Sequence, residues 1–154
     1  QGKYSQAISA FEKVRTNDKV NASYFYRMEG GQAALHLAYS YYQIERPDDG
    51  KNVITSFLQV VENDKLKENN SYKYYYNMAM IKSIEENKDE AFYYLQGAIE
   101  AGWVRAWEAE LEPIYAHLST EKQFTQMMGG VKARLATMRN RVEDGDAFLL
   151  SANN

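Results

Sequence analysis

The chain has 154 residues, of which 25% are charged and 45% hydrophobic, with a net charge of −3; this suits one globular domain large enough to bury a real core. A mean hydropathy of −0.62, with no long uncharged apolar run, argues against a membrane span. The mildly negative balance gives no attraction to phosphate backbones, so nucleic acid is not an expected partner. The absence of cysteine excludes disulfides, thiolate chemistry and Cys-ligated zinc.

Tyr4, Ala7, Ile8, Phe11 and Val14 recur at helical spacing and predict a helix over roughly 4–15. Asp18 to Gly30 reads as an irregular connection. Asn17 or Asn21 could cap a helix there, with Tyr24, Phe25 and Met28 on one side. Gly30-Gly31 opposes it, since Gly inside a helix costs about 1 kcal/mol relative to Ala. The next helix is expected from Gln32 to Ile44, with Ala34, Leu37, Ala38 and Tyr41 inward. Glu45 to Gly50 has the Pro, Asp and Gly chemistry of a turn. No spaced set of oxygen ligands follows Asp48-Asp49 as a calcium loop would require. A helix over 51–62 then packs Val53, Ile54, Phe57, Val60 and Val61.

From Ser71 to Gly102, two apolar stripes flank the polar break Glu85-Glu86-Asn87-Lys88-Asp89. Tyr75, Met78, Ala79 and Lys82 mark the first, with the lysine stem lying along apolar surface. Ala91, Phe92, Leu95, Ala98 and Ile99 mark the second. Small residues at Ala79, Ala91 and Ala98 sit where two antiparallel helices approach closely. Gly102 suits a helix C-terminus, and Pro113 can start a short helix running to Leu118. Phe124, Met128, Val131, Leu135, Met138 and Val142 form a heptad seam on a last helix over 121–143, weakened early by Gly129-Gly130. Residues 144–154 are expected to form a frayed tail.

The pair at 71–102 is similar to a tetratricopeptide repeat hairpin: Tyr75, Met78-Ala79, Ala91, Leu95 and Ala98 stand at the family's characteristic places. Gly2-Lys3-Tyr4, Ala7-Ile8 and Phe11 resemble the second helix of such a hairpin. Ala34, Leu37, Ala38 and Tyr41 follow the first-helix pattern, with Ala replacing Gly. Ala101-Gly102-Trp103, then Leu111-Glu112-Pro113, Leu118 and Phe124, resemble the closing segment of tetratricopeptide regions in bacterial signalling proteins. Those regions are fused to winged-helix regulators, nucleotide cyclases and protein kinases. The family usually has Asp-Pro where this chain has Glu112-Pro113. The equivalent positions Ala7, Val53 and Ala91 are farther apart than the family's repeat of about 34 residues, the excess falling in the connections.

The resemblance implies an all-α fold, a tetratricopeptide-like α–α superhelix of antiparallel hairpins with a long C-terminal capping helix, in a single domain over 1–154. Within it, 1–17 would be the second helix of a truncated repeat and 31–63 and 71–102 complete repeats. Residues 103–143 would be the closing segment and capping helix, and 144–154 the tail. A repeat cannot bury its apolar face alone, and each large side chain left in water forfeits roughly 1.5–3 kcal/mol. The chain is therefore expected to be a fragment of a longer protein; the rival is a domain that opens on a lone capping helix. Gln1-Gly2-Lys3-Tyr4 carries neither an initiator Met nor a secretory signal.

No Gly-rich phosphate loop, nucleophile elbow or metalloprotease helix motif is present, so no enzyme and no cofactor are expected. His36 and His117 are the only histidines, and neither has a second ligand at metal spacing, so no metal site is expected. Glu85-Glu86 and Asp48-Asp49 are adjacent pairs, which do not face each other on a helix. Lys132, Arg134, Arg139 and Arg141 make the last helix basic, in the manner of a solvated face. Asn21-Ala22-Ser23 and Asn69-Asn70-Ser71 fit the glycosylation triplet without a secretion signal to support it.

In the resembled architecture the first helix of each hairpin lines a concave groove. Leu35, Tyr39, Tyr42 and Gln43 would come from one hairpin, and Lys73, Tyr76, Met80 and Ser83 from the next. Aromatic, apolar and amide side chains stand there in place of the Lys, Arg and Asn of a carboxylate clamp. The groove implied is one for a peptide or partner helix. The expected function is a non-enzymatic protein–protein interaction module, the regulatory part of a larger bacterial signalling or transcription-regulatory protein, cytoplasmic or periplasmic. One alternative is self-association as a homodimer, through the N-terminal helix face or the C-terminal helix seam. Another is a small-molecule sensor, which would need a closed pocket with converging polar groups.

Overall fold

The computed structural model describes residues 2–17, 25–26, 31–63 and 72–152, with side chains as far as Arg141. The described residues are all-helical, with no strand among them. The helices are α1 (Gly2–Arg15), α2 (Gln32–Gln43), α3 (Pro47–Asn63), α4 (Tyr72–Ile84), α5 (Lys88–Glu100), α6 (Ala106–Leu111) and α7 (Lys122–Ala152), with a 3₁₀ turn at Pro113–Tyr115. The expected cap at Asn21, with Tyr24 and Met28, and the triplets at Asn21 and Asn69 lie outside the described residues. The chain divides into two compact units, Gln1–Trp103 and Val104–Asn154, where the sequence suggests one domain.

In the first unit, α2 pairs with α3 and α4 with α5, while α2 also touches α1 and α4. Both hairpins close in the same way. After α2, Glu45 takes φ 61°, and the amides of Glu45 and Arg46 return to the Tyr42 and Tyr41 carbonyls at 3.1 and 3.0 Å. After α4, Glu86 takes φ 59°, and the amides of Glu86 and Asn87 return to the Ser83 and Lys82 carbonyls at 3.1 and 2.9 Å. Each is a Schellman closure, with Glu at the left-handed position that Gly usually takes.

The partner helix then starts at once. Pro47 opens α3, where its missing N–H costs nothing, and Asp48 and Asp49 occupy the positive end of the helix dipole. Pro47-Asp48-Asp49-Gly50 is therefore the first turn of α3, not the loop that its composition suggests. Gly50 is required by space: a Cβ there would stand 2.5 Å from the Tyr42 ring. Asn87 caps α5, accepting from the Glu90 amide at 3.2 Å and donating to the Glu90 carboxylate at 3.0 Å.

The buried faces of α2 (Ala34, Leu37, Ala38, Tyr41), α3 (Val53, Ile54, Phe57, Val61) and α5 (Ala91, Phe92, Leu95, Ala98) follow the expected stripes, except that Val60 and Ile99 are only half-buried. Helix α4 does not. Tyr76, Asn77, Ala79, Met80, Ile81, Ser83 and Ile84 are all buried, while Tyr75 and Met78, expected inward, are half-buried. Both α2 and α5 pack on α4, and from Tyr76 to Ile84 only Met78 and Lys82 stay partly exposed, as expected of a helix stretch covered from two sides. A third Schellman closure ends α5, with Gly102 at φ 100° and the Trp103 amide returning to Ala98 at 2.9 Å. It lays the Trp103 indole on the Tyr76 ring, with centroids 5.1 Å apart and planes 26° apart.

In the second unit, the Glu112 carboxylate accepts from the Ile114 amide at 3.2 Å and caps the 3₁₀ turn that Pro113 opens. Phe124, Met128 and Val131 on α7 are buried; the Phe124 ring lies 6.3 Å from Tyr115, and Lys132 reaches Glu110 of α6 at 2.6 Å. Helix α7 runs past the expected limit at 143 to Ala152, in place of a frayed tail. Gly129-Gly130 does not interrupt it. No helix among the described residues is long and apolar enough to cross a membrane.

Candidate functional site

The structure separates the residues expected to line a groove. Leu35, Tyr76, Met80 and Ser83 have exposures of 0%, 4%, 0% and 2%, so a partner cannot reach them without unpacking the helices. They are core, with Tyr76 covered by Trp103. Helical spacing assigned them to an open face, but α4 has no open face there. Tyr39 and Tyr42 are half-buried, and Gln43 and Lys73 exposed. Tyr39 sets its edge against Tyr4 of α1, centroids 5.9 Å apart, and Tyr42 covers Gly50. Both rings knit neighbouring helices together.

A cleft lies elsewhere, at the open end of the α4/α5 hairpin. Tyr75 of α4, with Tyr93, Gln96, Gly97, Glu100 and Ala101 from α5 and its end, encloses about 300 Å³. Gly97 makes this geometry possible. A Cβ at that position would stand 2.7 Å from Tyr75 Cδ1, so only Gly lets the Tyr75 ring lie on the α5 backbone. Tyr93 projects from the same helix and is 71% exposed. Each wall is braced edge-on by its neighbour in sequence: Tyr75 by Tyr74 at 5.4 Å and Tyr93 by Tyr94 at 5.3 Å. Burial pushes the Tyr74 and Tyr94 hydroxyls above the ordinary tyrosine value, so these braces stay neutral at physiological pH. On the rim, the Gln96 amide donates to the Glu100 carboxylate at 2.8 Å.

Sequence reasoning placed Tyr75 inward and gave Tyr93 no role. The available signal was a glycine inside an otherwise unbroken helix, one turn after a tyrosine pair on the same helix and opposite a run of tyrosines on its partner. Among the described residues the cleft offers two phenol rings, an amide and one carboxylate. Among the described residues no group of three or more His, Cys, Asp or Glu is placed to hold a metal ion. No family model, curated protein or solved structure matches the chain.

Proposed function

We propose that this chain is a helical-repeat interaction module that grips a segment of a partner protein at the tyrosine-walled end of the α4/α5 hairpin. The observation that carries the reading is Tyr93, a large ring left in solvent beside a preformed cleft on a firmly packed helix. Rigid aromatic side chains with a polar tip supply contact area at small entropic cost, which is why interfaces are anchored by them. On this reading the two hairpins are tetratricopeptide-like repeats of an α–α superhelix, and α1 is the second helix of another. The resemblance of 101–124 to closing segments of bacterial signalling proteins supports placing the module in such a protein. The test is selection from a random peptide display library against the whole chain, with recovered peptides titrated calorimetrically into the wild type and Tyr93→Ser. Saturable binding, weakened about tenfold or more by Tyr93→Ser, is expected. Recovery of no binder, or of binders indifferent to Tyr93, overturns the reading.

Self-association is a second reading, favoured by the far part of the α7 seam. Beyond Val131 the seam surfaces, with Leu135 half-buried and Met138 48% exposed. Light scattering over a concentration series decides it: a dimer that Met138→Glu dissociates supports the seam, and a monomer at every concentration removes it.

A further inference from the structure

The geometry points to a cleft that selects a basic side chain, Lys or Arg, on the partner segment; this deepens the interaction reading and rests on it. Three features of the cleft favour a positive charge. Glu100 brings a full negative charge to the rim, and the hydrogen bond from Gln96 orients its carboxylate. Tyr75 and Tyr93 contribute π systems whose faces attract cations. Gly97 and Glu100 belong to the last turn of α5, where the helix dipole is negative. The amides of Ala101, Gly102 and Trp103 satisfy the Gly97, Ile99 and Ala98 carbonyls there without bringing a countercharge. Among the described residues no Lys, Arg or His lines the cleft, and Lys82 of the same hairpin is engaged by Glu85 and Glu90 at 3.1 and 3.0 Å.

Size narrows the occupant. A volume of about 300 Å³ is at the lower end for ligand pockets and matches a single long side chain better than a cofactor. The methylene stem of Lys or Arg can lie along a tyrosine ring while its head stays in the polar rim. Glu100 stands on that rim, where such a head would arrive.

The test uses end-blocked oligoglycine peptides carrying one central Lys, norleucine or Glu, titrated into the whole chain while amide NMR shifts are followed. The Lys peptide is expected to move the Gly97 and Ala101 amides saturably, and the norleucine and Glu peptides to leave them in place. Tyr93→Leu, which keeps apolar bulk but removes the π system, is expected to weaken the Lys peptide about three- to fivefold. Glu100→Gln should weaken it about two- to fivefold, and Glu62→Gln, which removes an exposed charge on α3, should change nothing. Equal shifts from norleucine would reduce the cleft to an apolar slot and overturn the proposal. So would Lys-dependent shifts confined to other residues. The outcome also separates this proposal from the broader one. Display-selected peptides that depend on Tyr93 but lack a basic residue would sink cation selection and leave the interaction module standing. Saturable Lys binding here with no selectable peptide would do the reverse.

Discussion

The Tyr41 hydroxyl of α2 donates to the Glu12 carboxylate of α1 at 2.8 Å, so one phenol ties the first helix to the second. The same carboxylate accepts from Arg15 Nε and Nη2 at 2.9 and 2.7 Å. From the other side, Arg46 lies over the Tyr41 ring, 4.9 Å from its centroid, and donates to Asp49 of α3 at 2.7 Å. Removing the hydroxyl with Tyr41→Phe leaves the packing intact and is expected to lower the unfolding free energy by about 1 kcal/mol. Glu12→Gln weakens the Arg15 pair as well and should cost at least as much. Urea denaturation measures both; unchanged midpoints would show that the bond contributes nothing.

Alkaline pH should destabilise the fold through the same kind of group. Burial first, and Glu12 second, push Tyr41 above the ordinary tyrosine value. Burial first, then Glu85 and Asp48, do the same to Tyr42. Lys82 is raised chiefly by its bond to Glu90. A raised group holds its proton longer in the folded chain than in the unfolded one. Its contribution is complete below the unfolded value, about 10 for both residue types, and disappears as pH climbs through the folded value. The urea midpoint is thus expected to stay level up to about pH 9 and to fall above about pH 10, with tyrosinate absorbance and loss of helical ellipticity rising together. A midpoint that stays level there would contradict these shifts.

Glycines in the two units should respond oppositely to alanine. At Gly129 and Gly130 of α7 an added Cβ meets nothing within 4 Å, so Gly129→Ala and Gly130→Ala should each stabilise α7 by about 0.5–1 kcal/mol. At Gly50 and Gly97 the added atom would stand 2.5 and 2.7 Å from a tyrosine ring. There overpacking outweighs propensity, and a loss of about 1–3 kcal/mol is expected. Thermal melts of the four variants provide the comparison; a gain at Gly97 would mean that Tyr75 is free to yield.

Glu45 and Glu86 invite the reverse substitution. Both are exposed and hold a left-handed conformation that costs an L-residue roughly 1–2 kcal/mol, a strain that Gly avoids. After allowing for the entropy that Gly adds to the unfolded chain, Glu45→Gly and Glu86→Gly should each raise stability by about 0.5–1 kcal/mol. Destabilisation by either, read from the same melts, would assign its carboxylate a role that the geometry does not disclose.

The helices were legible because their apolar positions repeat at helical spacing: α1, α2, α4 and α5 start and stop within a residue or two of where periodicity puts them. Turn chemistry was misread at Pro47-Asp48-Asp49-Gly50, since the same residue types that favour a loop also favour the first turn of a helix. The face of α4 was misread for a different reason. MAMIKSI carries apolar or small residues on all sides, and only knowledge of which neighbours pack on it reveals that Tyr76, Met80 and Ser83 are interior. The cleft was hidden because it depends on an absence, the missing Cβ of Gly97, which acquires meaning only once Tyr75 is seen against it.

The matching closures at Glu45 and Glu86 have a kinetic corollary. Each helix pair is joined by so few residues that bringing its halves together costs little chain entropy, and the side chains that meet are near neighbours along the polypeptide. Such local topology favours rapid assembly, with each pair able to form and open as its own cooperative block. Amide exchange under native conditions should therefore proceed pair by pair, and α4 with α5, which shelters the most interior of the helices, should be the last to let solvent in.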